Sequence, residues 1–84
     1  MIANRKPCWM DGTLVPFDEY LRRVEAARRR AEALCLTRTW IAAQIGRSRG
    51  HTTRVLAGQD RGVETLLRIE ALLRRVEAGE VAPR

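Results

Sequence analysis

Residues 36–58 read LTRTWIAAQIGRSRGHTTRVLAG, and this stretch decides the fold of the chain. Thr37 is a candidate N-cap for a helix over Arg38–Ile45, because its hydroxyl can accept a hydrogen bond from a backbone N–H of the first turn. Gly46 then interrupts the helical pattern. A second helix, over about Ser48–Ala57, begins at a serine that is also a good N-cap. The stretch therefore predicts two short helices joined at a glycine.

Longer helical patterns lie on both sides of this stretch. Apolar residues recur at spacings of three and four from Asp18, a candidate N-cap, to about Cys35. They recur again from Val63 to Ala78, and Gly79 follows as a suitable residue to end that helix. The chain is thus expected to have one long helix before the short pair and one after it.

The N-terminal segment carries a turn signal. Asp11-Gly12 stands between the short apolar runs Cys8–Met10 and Thr13–Val15, and this dipeptide favours the type I′ turn of a two-residue hairpin. A flexible arm is the alternative. Because an isolated hairpin is only marginally stable, we expect residues 8–17 to pack on the helical body or across a dimer.

These patterns predict an all-α fold, a four- to five-helix bundle that contains a helix-turn-helix, with an N-terminal arm or short β-hairpin. A chain of 84 residues has room for one small core. The expected divisions are residues 1–16 for the arm or hairpin, residues 17–78 for the helical domain and residues 79–84 for a tail.

The net charge of the chain is +6, and most of the excess lies in one central stretch. Residues 37–62 hold five arginines against Asp60 alone, which gives +4, whereas residues 63–84 are neutral overall. Concentrated positive charge suggests a polyanionic partner, and arginine pairs with phosphates and guanine edges through a planar fork that lysine lacks. A generally arginine-rich surface is the alternative.

The same residues resemble the lambda-repressor/Cro-like family of small bacterial or phage transcriptional regulators. The stretch Leu36–Gly46 is similar to the family's Leu-Thr-Gln-x-x-Leu-Ala-x-x-x-Gly. Ser48 and Gly58 fall where the family has its cap serine and the glycine that ends the second helix. Val63–Ile69 resembles the family's Leu-Glu-Thr-Leu-Leu-Lys-Ile. The resemblance covers about residues 20–77.

The resemblance implies a sequence-specific DNA-binding protein whose second short helix enters the major groove. It implies base-reading roles for four residues of that helix, namely Arg49, Gly50, Thr53 and Arg54. Contacts with the DNA backbone are implied for Arg38, Arg47, Ser48 and His51. An arginine can fork onto guanine O6 and N7, and a threonine can meet a thymine methyl. For His51, an exposed helix residue without a role is the alternative.

We expect the protein to act as a transcriptional repressor that binds an inverted-repeat operator as a homodimer, since one small module buries too little DNA surface for high specificity. The dimer surface is expected from the last helix or from the N-terminal segment. The candidates on the last helix are Leu66, Ile69, Leu73 and Val76. The alternatives are a small phage-type protein-binding inhibitor and an antitoxin that reuses the helix-turn-helix fold.

Other functions find little support in the sequence. It offers no nucleophile–base pair, no phosphate-cradling glycine loop and no convincing carboxylate pair, so we do not expect an enzyme. One histidine and two cysteines, Cys8 and Cys35, lack the spacing of a zinc site, and no cofactor is expected. No apolar run approaches the roughly 18 residues of a membrane span, and the cysteine usage fits a reduced, cytoplasmic protein.

Overall fold

The part of the chain that the structure describes folds into four helices and one hairpin, in the order β1 (Cys8–Met10), β2 (Thr13–Val15), α1 (Phe17–Ala33), α2 (Arg38–Ile45), α3 (Arg49–Leu56) and α4 (Val63–Glu77). These bounds come from a computed structural model that describes residue 2 and residues 4–83. Met1, Ala3 and Arg84, which belong to the predicted segments 1–16 and 79–84, lie outside the described residues. A mostly helical fold with a small hairpin is confirmed.

The N-terminal hairpin forms as the Asp11-Gly12 signal predicts. Asp11 has a φ of 53° and Gly12 a φ of 78°, and a type I′ turn requires a positive φ at both central positions. The two strands pair antiparallel, with Trp9 directly opposite Leu14. The segment is therefore a hairpin and not a flexible arm.

One face of the hairpin closes the helical core. Cys8 and Met10 are each 1% exposed, while Trp9 and Leu14 on the opposite face are 68% and 52% exposed. Side chains alternate between the two faces of a strand, so the register decides which apolar residues reach the core. The expectation that residues 8–17 pack on the helical body is confirmed.

Helix α1 differs from its prediction at both ends. Pro16 holds the N-cap position, and Asp18 makes no capping hydrogen bond because it already lies in the first turn. The prediction of Asp18 as the N-cap is therefore wrong, although a carboxylate there interacts favourably with the helix dipole. The helix ends at Ala33, and Cys35 turns the chain with a φ of 58°. The N–H of Cys35 donates a hydrogen bond to the carbonyl of Glu32 at 3.0 Å.

Two ion pairs hold α1 against α4. The Nε of Arg23 donates to Glu70 at 3.0 Å, the Nε of Arg30 donates to Glu77 at 2.9 Å, and a second bond from Nη2 makes each pair bidentate. The second pair lies two turns after the first along α1, and also two turns after it along α4. The two helices therefore run in the same direction. Glu70 is only 8% exposed, and Arg23 supplies the opposite charge that a buried carboxylate needs.

The apolar stripe of α4 belongs to the core of the monomer. Leu66, Ile69 and Leu73 are each 0% exposed and pack with the hairpin and α1. Their predicted role as a dimer surface is wrong, because their surface is already covered within the chain. The amphipathic pattern that singled them out is that of a helix with one face in its own core. Val76, the fourth predicted residue, is half-buried beside that core.

Replacing Cys35 with glycine is expected to raise the free energy of unfolding by about 0.5–1 kcal/mol. The left-handed conformation of Cys35 costs a residue with a Cβ about 1–2 kcal/mol, and glycine avoids this cost. Glycine also has a larger entropy in the unfolded chain, which offsets part of the stability gained. Urea unfolding measures the difference. Cys35→Ser, which keeps the Cβ, is the control, and equal stability of the two variants would contradict the expectation.

Candidate nucleic-acid interface

Helix α2 begins and ends at the residues that its sequence predicts. The Oγ1 of Thr37 accepts a hydrogen bond from the N–H of Trp40 at 3.0 Å. At the other end Gly46 adopts a φ of 71°, a conformation that glycine reaches without a steric penalty. This lets the N–H of Arg47 bond to the carbonyl of Ala42 at 3.0 Å. The chain therefore turns sharply and starts α3 two residues later.

Helix α3 begins at its predicted cap and buries one face. The Oγ of Ser48 accepts a hydrogen bond from the N–H of His51 at 3.1 Å. Thr52, Val55 and Leu56 are each 0% exposed. The hydroxyl of Thr52 donates to the carbonyl of Ser48 at 2.9 Å, so this buried threonine leaves no polar group without a partner. One side of α3 is thereby fixed in the protein.

The four residues predicted to read bases are all exposed on the other side of α3: Arg49, Gly50, Thr53 and Arg54. Their spacings of three and four residues place them next to one another on a helix. The Oγ1 of Thr53 donates to the carbonyl of Arg49 at 2.8 Å, so its hydrogen is engaged, and its methyl group and the lone pairs of the hydroxyl oxygen remain for outside contacts. The side chain of Arg49 makes no hydrogen bond or ion pair with any described residue.

Arg54 differs from Arg49 because it has a partner inside the protein. Its Nε donates to the Oδ2 of Asp60 at 2.7 Å, and the two side chains are 51% and 39% exposed. A Cβ added at Gly50 would lie 3.2 Å from the Nη1 of Arg54. The guanidinium thus lies beside a glycine one turn earlier, and that glycine lowers helix stability by about 1 kcal/mol relative to alanine.

The residues predicted to contact the DNA backbone differ in how far the protein itself engages them. Arg38 is half-buried and makes no ion pair within the described part of the chain. The Nη2 of Arg47 donates to Glu64 at 3.1 Å, and the Nε2 of His51 lies 2.9 Å from the Oγ1 of Thr65. His51 is therefore not an exposed residue without a role, since it joins α3 to α4.

The N-termini of α2 and α3 have no acidic neighbours in their first turns. Helices α1 and α4 do have acidic residues there. The unbonded N–H groups and the helix dipole favour an anion at such an end. Glu64, at the start of α4, accepts bonds from Arg47 at 3.1 Å and from Arg68 at 3.0 Å. The first turns of α2 and α3 therefore hold no carboxylate of their own that would oppose an anion, while Glu64 offsets the charge of Arg47.

The connection between α3 and α4, residues 57–62, is anchored on α1. The N–H of Gly62 donates to the hydroxyl of Tyr20 at 2.9 Å. A Cβ at Gly62 would lie 2.7 Å from the Cγ2 of Val55, a distance that real side chains do not tolerate. The loop therefore approaches α3 as closely as only glycine allows, and we call residues 57–62 the α3–α4 loop.

Arg61 of this loop holds the segment before the hairpin. Its Nη1 donates to the carbonyl of Lys6 at 2.6 Å and to that of Asn4 at 3.4 Å, and its Nη2 donates to the carbonyl of Pro7 at 2.8 Å. The guanidinium carbon also lies 5.8 Å from the ring centroid of Phe17, within the range of a cation–π contact. Arg61 is thus engaged by the protein's own backbone.

The charge excess of residues 37–62 is therefore only partly open to a ligand. Arg47, Arg54 and Arg61 bond to other groups of the protein. Arg38 and Arg49 make no such bond within the residues that the structure describes. Composition alone counts all five equally, and the structure separates them.

Sequence reasoning missed Tyr20, Asp60 and Arg61. Tyr20 lies three residues after Phe17 on the apolar face of α1, and this spacing was the signal that it is buried. Asp60 is the single acid among the five arginines of the central stretch, which was a signal that it pairs with one of them. Nothing in the sequence indicates that Arg61 bonds to backbone carbonyls more than fifty residues away.

Comparison of the chain with family models, with curated proteins and with solved structures finds no match. Among the described residues, no group of three or more histidine, cysteine or acidic side chains is placed to hold a metal ion. Cys8 is buried and Cys35 is exposed, and both are free thiols. None of the described helices has both the length and the apolar content needed to cross a membrane.

The alkaline stability of the protein is expected to depend on Tyr20. Burial is the largest effect on its pKa and raises it above the ordinary 10.0. The hydrogen bond from Gly62 and the charge of Arg61 lower the pKa, whereas the charges of Cys8 and Asp60 raise it, and the net result is an increase. Because the folded-state pKa is the higher one, the contribution of this group to stability is complete below about pH 10 and is lost as the pH rises through the folded-state value. The free energy of unfolding should therefore fall above about pH 10.

The control for this prediction is Tyr20→Phe. The variant should lose about 1 kcal/mol at neutral pH, because the N–H of Gly62 loses its partner, and should be less sensitive to alkaline pH than the parent. Tyr20 is the only tyrosine in the chain, so the ultraviolet absorbance of tyrosinate reports its ionisation directly. An identical alkaline dependence in parent and variant would contradict the assignment.

Proposed function

We propose that α2 and α3 form a helix-turn-helix and that the protein is a sequence-specific DNA-binding regulator that represses transcription. The observation that carries the proposal is the exposed face of α3. Arg49, Gly50, Thr53 and Arg54 stand together there, on a helix whose first turn holds no acidic residue of its own. The major groove admits one α-helix, and its base edges offer acceptors to arginine and a methyl group to threonine.

The proposed contacts separate positioning on the DNA from reading of its bases. Arg38 and the N–H groups at the starts of α2 and α3 contact phosphates, which fix the orientation of the protein. Arg49 and Arg54 reach base edges, which carry the sequence information. Arg47 and His51 are already bonded to residues of α4, and in this proposal they support the motif rather than contact DNA.

We further propose that the protein binds an inverted repeat as a homodimer. A single module of this size buries too little DNA for high specificity, and a two-fold dimer that reads two half-sites supplies the remainder. The outer face of the hairpin offers a surface for a second copy. Trp9 and Leu14 are cross-strand partners on that face, 68% and 52% exposed.

The charges around the hairpin fit a second copy of the same chain. Asp11 lies at the turn of the hairpin and Lys6 precedes its open end, and both are exposed. In a two-fold dimer that brings two hairpins together antiparallel, we expect each aspartate to lie near the lysine of the other copy. Such a self-complementary contact is typical of two-fold dimers, and it covers Trp9 and Leu14 of both chains.

The same exposed pair is the observation that favours the alternative function, a small phage-type inhibitor or an antitoxin that binds another protein. Large exposed apolar side chains mark protein-binding surfaces in general. The arginines at the first positions of α2 and α3, Arg38 and Arg49, favour DNA over this alternative, because a cation at a helix N-terminus is unfavourable unless an anion is bound there.

The purified protein is expected to select a recurring motif from a pool of randomised DNA duplexes. Arg49→Ala should lose about 1–3 kcal/mol of discrimination at one base pair. Arg38→Ala should weaken binding to all sequences alike and reduce the slope of log affinity against log salt by about 0.9. Fluorescence anisotropy titrations at several salt concentrations measure both effects.

Arg22→Ala is the matched control for these variants. Arg22 is exposed on α1, and its loss changes the net charge by the same amount. If all three variants weakened binding equally, general charge rather than the exposed face of α3 would be binding the DNA. If the parent selected no motif, the proposed function would be wrong.

Trp9→Ser combined with Leu14→Ser is expected to convert the dimer into a monomer. The helical content should not change, because both side chains lie outside the core. Sedimentation equilibrium, with and without DNA, measures the oligomeric state, and Ala26→Ser at an exposed site of α1 is the control. A parent that sediments as a monomer both free and on DNA would rule out the homodimer.

A further inference from the structure

The side chain of Arg54 is held at one of its nitrogens and not at the others. Its Nε donates to the Oδ2 of Asp60 at 2.7 Å. Within the residues that the structure describes, this is the only hydrogen bond of the guanidinium. The Nη1 and Nη2 groups, which form the outer fork of an arginine, therefore keep their hydrogen atoms for a ligand.

Asp60 is itself fixed relative to Arg54. The backbone N–H groups of Gln59 and Asp60 donate to the carbonyl of Arg54 at 2.9 Å and 3.3 Å. The main chain of Arg54 thus holds the main chain of Asp60, and the carboxylate of Asp60 holds the side chain of Arg54. This closed arrangement sets the carboxylate at one position beside α3.

Gly50 supplies the space that the guanidinium occupies. A Cβ at this position would lie 3.2 Å from the Nη1 of Arg54, closer than most side-chain contacts. Gly50 has ordinary helical backbone angles, so a residue with a side chain could adopt the same backbone conformation. Glycine matters here because it lacks a Cβ and leaves space for the guanidinium. Two separate features, a carboxylate on one side and a missing side chain on the other, therefore define one orientation of Arg54.

An ion pair as exposed as this one contributes little to stability, because solvent screens it and ordering two side chains opposes it. Its effect on orientation is larger, since a long side chain that is already ordered loses less freedom when it binds. A carboxylate also repels phosphate, so an arginine beside Asp60 is less suited to the DNA backbone than to a base edge.

We propose that Asp60 is a positioning residue, which holds Arg54 by its Nε and thereby directs the Nη1–Nη2 fork to O6 and N7 of a guanine in the major groove. The proposal rests on the proposed DNA-binding function and adds to it the base that Arg54 reads. Guanine is the base that offers two acceptors side by side in the major groove, and this pair matches the spacing of the arginine fork.

The test measures discrimination rather than affinity alone. The duplex is the motif selected by the parent from a randomised pool, compared with versions that carry adenine or 7-deazaguanine in place of each guanine in turn. The position at which Arg54→Ala loses its preference is the one that Arg54 reads. The parent should prefer guanine there by about 10-fold or more, and removal of N7 in 7-deazaguanine should abolish most of that preference.

The variants separate orientation from charge. Asp60→Ala should reduce the preference for guanine at this position several-fold, and Asp60→Asn, which keeps an acceptor for Nε, should retain part of it. Gly50→Ala should also reduce the preference, by less than Asp60→Ala, because its Cβ shifts the Nη1 of Arg54 by a few tenths of an ångström. In an Arg54→Ala background, Asp60→Ala should change the preference no further. Glu80→Ala, an equal change of net charge in the exposed C-terminal segment, should leave the preference unchanged.

Each outcome decides the proposal. If Asp60→Ala and Asp60→Asn both strengthened binding to every duplex equally and left the preference intact, Asp60 would only mask charge, and the proposal would be overturned while DNA binding stood. If the parent selected no motif, the proposed function and this inference would both be overturned. Thermal unfolding of each variant accompanies the titrations, and a reduced preference at an unchanged melting temperature supports the proposal.

Discussion

The hydrogen bond from the N–H of Gly62 to the hydroxyl of Tyr20 fixes the α3–α4 loop at a buried point on α1. Gly62 packs so closely on Val55 that no larger residue fits without a shift. From this point the loop extends Arg61 to the carbonyls before the hairpin and Asp60 to the exposed face of α3. Three residues in sequence, Asp60, Arg61 and Gly62, thereby set the positions of α1, α3, the N-terminal segment and one arginine side chain relative to each other.

The two long helices supply the support for this arrangement. A chain of 84 residues buries a limited share of its surface, so the hairpin is needed to cover the core between α1 and α4. The exposed pair Arg30–Glu77 adds little net stability. The pair of Arg23 and Glu70 is costly to break at the arginine, because Glu70 is buried and its charge would be left without compensation. Its main effect is to fix which turn of α1 faces which turn of α4.

The sequence predicts those parts of the fold whose hydrogen bonds join near neighbours. The caps at Thr37 and Ser48 and the turn at Gly46 each involve groups within five residues, so the order of residues in the sequence is enough to predict their geometry. It is not enough to predict contacts between distant residues. The stripe that includes Leu66 would suit a second chain as well as its own core, and only the packing of α1 and the hairpin decides between them. The partners of Arg61 are set by the path of the whole chain.

Arginine has two different uses in this protein, and geometry rather than composition distinguishes them. Arg61 adds to the positive charge of the central stretch, yet its donors are occupied by backbone carbonyls. Asp60 subtracts from that charge, yet it holds the Nε of Arg54 and leaves the outer fork exposed. Net charge governs the non-specific attraction of a polyanion, whereas recognition of one base depends on the direction of individual N–H groups. A single acidic residue can therefore weaken the first and strengthen the second.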